Sequence, residues 1–189
     1  MRAVRTVTGR AIVIDRPNID TDQIIPASWL KRVERSGYGA GLFSSWRTDP
    51  GFPLNAPGAD DAKVLIAGPN FGCGSSREHA VWALQDFGFE AVVAPSFADI
   101  FRANSIGAGL VTAALTDPAS LIAALAADPA AIVTVDVDER TVSVSGLALP
   151  FQLPDYSRWR LLNGLDDIAV TLRHSDAIAN YERRHATNR

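Results

Sequence analysis

The stretch "AKVLIAG", residues 62–68, runs directly into "PNFGCGSSREHA", residues 69–80. The first is a short, almost wholly apolar run of the kind that makes a buried strand. After the second, Ala80, Ala83, Leu84 and Phe87 fall at i, i+3, i+4 and i+7, one face of a helix, and Gly88 is placed to end it. Strand, glycine-rich turn and helix follow one another without a linker. A chain that does this stacks helices on a sheet.

The alternation continues downstream. "EAVVAP" reads as a strand, "SFADIFRANSIGAG" as a helix closed by glycines, and "LVTAAL" as a further strand. Asp117 and Pro118 open an alanine-rich helix that runs through Ala127. "AIVTVDVDERTVSVSGLALPFQL" alternates apolar and polar residues, with turns at Asp138–Arg140 and Ser145–Gly146, which predicts a β-meander. Upstream, Ala11–Ile14 is a short strand before a polar turn at Asn18–Asp22. The tail predicts helices broken near Asn163–Gly164 and His174–Ser175, with a fraying polar end. The expected fold is a single α/β domain over residues 1–189, a mixed sheet or small barrel flanked by helices. Residues 36–61 are rich in Gly, Pro and Ser and have no period. A loop this long is either a mobile lid or substrate-side segment, or an ordered surface loop packing its own Phe43, Trp46 and Phe52.

Composition excludes several classes. A net charge of −3 gives no electrostatic reason to expect nucleic acid or an anionic membrane as partner. No apolar run is long enough to span a bilayer, and the first fifteen residues lack a signal-peptide core. A cytoplasmic protein is the expectation. The single cysteine, Cys73, cannot form an internal disulfide, and one thiolate cannot hold a metal or an iron–sulfur cluster. No metal is therefore expected on this chain.

Two polar clusters carry candidate chemistry. In the first, Ser75-x-x-Glu78 ahead of the helix reads as a capping box, with Gly72 and Gly74 supplying unusual backbone angles. The same geometry also makes an anion site, because a glycine turn at a helix start gathers free N–H groups. Arg77 adds a planar fork suited to a carboxylate or phosphate. Ser75 or Ser76 there could bind an oxyanion, or one hydroxyl could be held as an alkoxide by the surrounding donors. There is no Walker lysine, and Arg77 stands where a dinucleotide loop needs its third glycine. His79 reads as a helix-face packing residue. The second cluster, "NIDTDQIIP", is either an Asx-type turn or a source of a carboxylate that orients a catalytic acid or base.

Taken together, "NIDTDQIIPASWLK", "NFGCGSSREHA", "VVAPSFADIFRANSIGAGL" and the tail "NGLDDIAVTLRHSDAIANYE" resemble the swivel domain of the aconitase superfamily, in its 3-isopropylmalate dehydratase small-subunit branch. The resemblance covers Met1 to about His185. It implies a hydro-lyase subunit that isomerises 2-isopropylmalate and 3-isopropylmalate in leucine biosynthesis, inactive alone and completed as a heterodimer. The large subunit of such an enzyme carries a 4Fe–4S cluster, and an iron Lewis acid draws off the substrate hydroxyl while a base takes the neighbouring proton.

By the same resemblance, Ser75 is that base, acting as an alkoxide, and Arg77 stabilises it and helps bind a substrate carboxylate. Ser76 and the Gly74–Ser76 backbone bind the same carboxylate. Asp22 pairs with a histidine of the large subunit, and Thr21 lies beside it. Relatives acting on tricarboxylates carry a gripping arginine after "WLK"; that register falls here on Val33, an apolar residue suited to an isopropyl group, with Arg32 one step away. Two alternatives stay open: a hydro-lyase for a methyl-substituted malate or homologous acid, or a non-catalytic anion-binding module.

Overall fold

The computed structural model describes residues 1–31 and 36–185. Arg32 and Val33 lie outside the described residues.

Seven strands form one mixed sheet in the order β4-β3-β2-β1-β5-β6-β7. The strands are β1 (Thr6–Ile14), β2 (Ala62–Ala67), β3 (Ala91–Ala94), β4 (Val111–Ala114), β5 (Ile132–Asp136), β6 (Thr141–Val144) and β7 (Leu147–Pro150). Strands β1 to β4 pair in parallel, while β5, β6 and β7 add antiparallel as the expected meander. The sheet curls until its ends approach: just past β7, Gln152 exchanges backbone hydrogen bonds with Ala114 of β4, at 2.8 and 3.3 Å.

β1 is the seam between the two halves and is longer than the apolar run Ala11–Ile14 predicted. Thr6–Arg10 pair with β5, and Arg10–Ile14 pair with β2, with a register shift between Arg10 and Ala11. Its first half is half-polar because one side faces water, so it carries no apolar signal.

The helices are α1 (Thr21–Ile24), α2 (Glu78–Phe87), α3 (Asp99–Ala108), α4 (Ala119–Ala127), α5 (Asp155–Asn163), α6 (Asp167–Leu172) and α7 (Ser175–His185). The sheet has a core on each face. Val64 and Ile66 of β2 point into a core with Leu121 and Leu125 of α4, Val133 and Val144 of the meander, and Leu161 of α5. Leu65 and Ala67 point the other way, against Leu84 of α2 and Phe101 of α3. Burial on both faces is what the unbroken apolar run of β2 reflects.

Residues 36–61 contribute to that second core. They run as short 3-10 turns at Gly39–Gly41, Pro53–Asn55 and Ala59–Asp61. Tyr38, Leu42, Phe43, Phe52 and Leu54 are buried, and Trp46 stacks on Phe43 with ring centroids 5.3 Å apart. The segment is anchored to α2, where the Asp86 carboxylate accepts from the Tyr38 N–H at 2.8 Å. His79 packs as expected, its ring 4.7 Å from Trp82 and 5.4 Å from Tyr38.

Candidate active site

The first three parallel strands, β1, β2 and β3, all end on one side of the sheet, so the loops that follow them share an edge. That edge is where open α/β sheets present ligand sites. Here the loop after β2, residues 68–77, lies between the other two. On one side the Gly72 N–H donates to Ile19 O at 2.8 Å and the Thr21 N–H to Cys73 O at 3.0 Å. On the other, the Phe71 N–H donates to Ser96 O and the Ala98 N–H to Phe71 O, each at 3.0 Å.

Two glycines make this route possible. Gly72 has φ +76°, and a Cβ there would lie 2.2 Å from a ring carbon of Phe101. Gly74 has φ +85° and turns the chain toward α2.

The capping box expected at Ser75 and Glu78 does not form. α2 starts at Glu78, its cap position is Arg77, and no side chain caps it. Ser75 is held back in the loop because the Thr21 hydroxyl, buried at 2% exposure, donates to Ser75 O at 2.9 Å. The capping box appears instead in the "NIDTDQ" stretch, where an Asx-type turn was one reading. The Asp20 carboxylate accepts from the Gln23 N–H at 2.7 Å, and the Gln23 side-chain oxygen accepts from the Asp20 N–H at 2.9 Å. This fixes α1 and so aims Thr21 at the Ser75 loop.

Ser75 and Ser76 are left exposed, and neither hydroxyl has a hydrogen-bond partner among the described residues. The N–H groups of Ser75, Ser76 and Arg77 meet no backbone acceptor among them either. The Arg77 side chain is mostly buried and pairs with the exposed carboxylate of Asp22. Asp22 and Arg77 therefore meet as an ion pair across a long sequence separation.

A cleft of about 310 Å3 runs between this loop and the start of α3. Thr21, Gly74, Ser75, Ser76 and Arg77 line one wall; Ala98, Asp99, Ile100 and Phe101 line the other. α2 and α3 both begin at this cleft, so two sets of unpaired helix-start N–H groups and two positive dipole ends open onto it. The arrangement suits a small anion with more than one carboxylate. The α3 wall was not singled out from the sequence. The only signal was topological, since α3 follows the next parallel strand and must start on the same edge.

Cys73 is a free, half-buried thiol, and no group of three His, Cys, Asp or Glu among the described residues could hold a metal ion. This donor set does not fit an iron–sulfur cluster, which needs several thiolates.

The sheet and the glycine–serine loop define a C-terminal domain of the aconitase class. The sequence pattern of the aconitase C-terminal domain matches residues 1–118. The pattern of the C-terminal domain found in small subunits of 3-isopropylmalate dehydratase matches residues 167–189. The chain belongs to the family of 3-isopropylmalate dehydratase small subunits. It is 55% identical over 186 residues to the protein of that name from Frankia alni, covering 96% of this chain and 94% of the relative. It is 58% identical over 179 residues to that from Thermobifida fusca, covering 94% and 92%. The crystal structure of 3-isopropylmalate dehydratase from Methanocaldococcus jannaschii superposes with a TM-score of 0.71 at 27% identity, over 93% of this chain and 99% of that one.

Proposed function

We propose that this chain is the half of a two-chain 3-isopropylmalate dehydratase that binds the substrate carboxylates and moves the proton. The reaction is a dehydration and rehydration that interconverts 2-isopropylmalate and 3-isopropylmalate in leucine biosynthesis. The observation that carries the reading is the Ser75 hydroxyl, without a partner among the described residues, beside N–H groups that meet no backbone acceptor among them and beside Arg77.

The proton to be removed lies on a carbon next to a carboxylate, and its acidity rises when that carboxylate is bound by positive donors. The Ser76 hydroxyl and the Gly74–Arg77 backbone bind it. Ser75 takes the proton as an alkoxide, which needs strong local stabilisation; the helix-start N–H groups and the Arg77 guanidinium supply it. Asp22 orients Arg77 through their ion pair and, when a large subunit docks, offers its carboxylate to a histidine there. Thr21 acts as a positioning residue: its hydroxyl is spent on Ser75 O, and through it sets where Ser75 stands. The 4Fe–4S cluster belongs to the large subunit, and this chain contributes no ligand to it.

The test is anaerobic reconstitution with an isopropylmalate-type large subunit, following isopropylmaleate absorbance. Ser75→Ala is expected to lower turnover by about 10²–10⁴-fold without loss of the heterodimer. Near-normal turnover would remove Ser75 as the base, and no turnover of either isomer by the wild-type pair would remove the substrate assignment.

A further inference from the structure

The large apolar side chains left exposed gather near one end of the chain. Among the described residues they are Tyr156 on α5, Ile168 and Leu172 on α6, and Ile178 and Tyr181 on α7, with Ile100 and Ile132 elsewhere. Ile168 and Leu172 stand one helical turn apart, 72% and 63% exposed. Ile178 and Tyr181 share a face of α7 with His185, whose ring stacks on Tyr181 at 4.0 Å; Asp176, Asn180 and Arg183 take the opposite face. Neither helix buries a residue, and every position from 171 to 185 is exposed. The 11 residues of α7 are too few for a helix to hold itself firmly in water. α7 thus has the pattern of a packed helix and, among the described residues, no core to pack into.

The root of this tail is fixed. Asp167 at the start of α6 pairs with Arg160 of α5 at 2.8 Å, and the Arg173 guanidinium lies over the Trp159 ring, 5.0 Å from its centroid. The tail also adjoins the candidate active site. A second cleft, of about 710 Å3, runs from Glu78 and Asp99 to Tyr156 and Ile168, and Asp99 lines the Ser75 cleft as well.

We infer that α6 and α7 are a docking surface for the large subunit, with Ile168, Leu172, Ile178 and Tyr181 as its apolar contacts. The inference rests on the function proposed above, in which a second chain covers the Ser75 cleft. A chain seated there reaches Ile168 along the wall that the two clefts share. The sequence patterns divide in the same way: that of the aconitase C-terminal domain ends at residue 118, and the one over 167–189, which holds α6 and α7, is that of small subunits. A domain joined covalently to its neighbours is kept at high effective concentration; a separate chain replaces that with contact area. Exposed apolar side chains rimmed by polar ones supply it.

The experiment titrates the full-length chain, fluorescently labelled, with the cluster-loaded large subunit and reads the heterodimer Kd by anisotropy. The double variant Ile168→Ser, Leu172→Ser is expected to raise Kd by about tenfold or more, the scale of truncated interface anchors. Its kcat at saturating large subunit should stay within about twofold, since only association is touched. Ile132→Ser, an exposed isoleucine on β5, is the control and should leave Kd unchanged. Amide exchange across Ser175–His185 should slow when the large subunit binds. An unchanged Kd in the double variant, or an equal rise in the control, overturns the inference. So does self-association of the isolated chain that the double variant abolishes while the heterodimer Kd stays the same, because the tail would then face a second copy. A wild-type pair that binds but turns over neither isopropylmalate isomer removes the proposed function and leaves the docking surface standing; a wild-type chain that does not bind the large subunit removes both.

Discussion

The Thr21 hydroxyl donates to the backbone oxygen of Ser75 at 2.9 Å, joining the start of α1 to the loop before α2, 54 residues on in sequence. The bond is part-buried and holds the chain just before α2 in a non-helical turn. Thr21→Val keeps the shape and removes the donor. It is expected to cost about 1 kcal/mol in urea unfolding, the scale of one lost hydrogen bond, because Ser75 O retains some access to water. Turnover in the reconstituted pair should fall by roughly tenfold or more, since a small displacement of a reacting group is costly. Thr21→Ser should recover both. Full activity in Thr21→Val would show that Ser75 is positioned without it.

Gly72 and Gly74 share a left-handed backbone but differ in surroundings. A Cβ on Gly72 meets the Phe101 ring at 2.2 Å; one on Gly74 has nothing nearer than 3.4 Å. Gly72→Ala therefore combines backbone strain with overpacking and is expected to cost about 2–5 kcal/mol. Gly74→Ala carries strain alone, about 1–2 kcal/mol. Chemical denaturation of both variants measures the difference. Adding Phe101→Ala to Gly72→Ala removes the clash but not the strain, so non-additivity in that double mutant reports the contact. Equal costs at the two glycines would contradict the packing around Gly72.

These cases show what the sequence carries and what it withholds. β2, α2, α3 and the meander were legible because their periodicity is local: Ala80, Ala83, Leu84 and Phe87 mark one helix face on their own. The first half of β1 was not, because Thr6, Thr8 and Arg10 face outward and its identity depends on β5, over a hundred residues away. Ser75 matched the local pattern of a cap, yet Thr21 and the positive φ of Gly74 keep it out of the helix. Ile100 looked like any apolar helix residue, and only the neighbouring β2 loop turns its exposure into a cleft wall.

Arg77 offers a planar fork, and Asp22 occupies it in this chain. Arg77→Lys keeps the charge and loses the fork. Since the Asp22 partner is half-exposed, stability is expected to change by no more than about 1 kcal/mol. A charge-assisted hydrogen bond to substrate is worth about 1.5–3 kcal/mol, so kcat/KM should fall by about 10–100-fold. Steady-state kinetics beside a urea melt separates the two. A large stability loss with unchanged kcat/KM would make the pair structural.

Asp166 caps α6, its carboxylate accepting from the Ala169 N–H at 2.8 Å. That bond, first of all, holds its pKa below the ordinary 3.8; partial desolvation opposes the shift, and the amino-terminal ammonium and Arg160 add to it. The folded state thus binds the Asp166 proton less readily than the unfolded state does. Its contribution to stability is fully present above 3.8 and is lost as pH falls through the lowered folded value. Asp166→Asn keeps a capping oxygen but cannot ionise. Urea midpoints should therefore be lower for the variant at pH 7 and converge with wild type as pH drops below 3.8. A gap that stays constant across the acid range would mean that the variant acts through the shape of the cap and not through the charge.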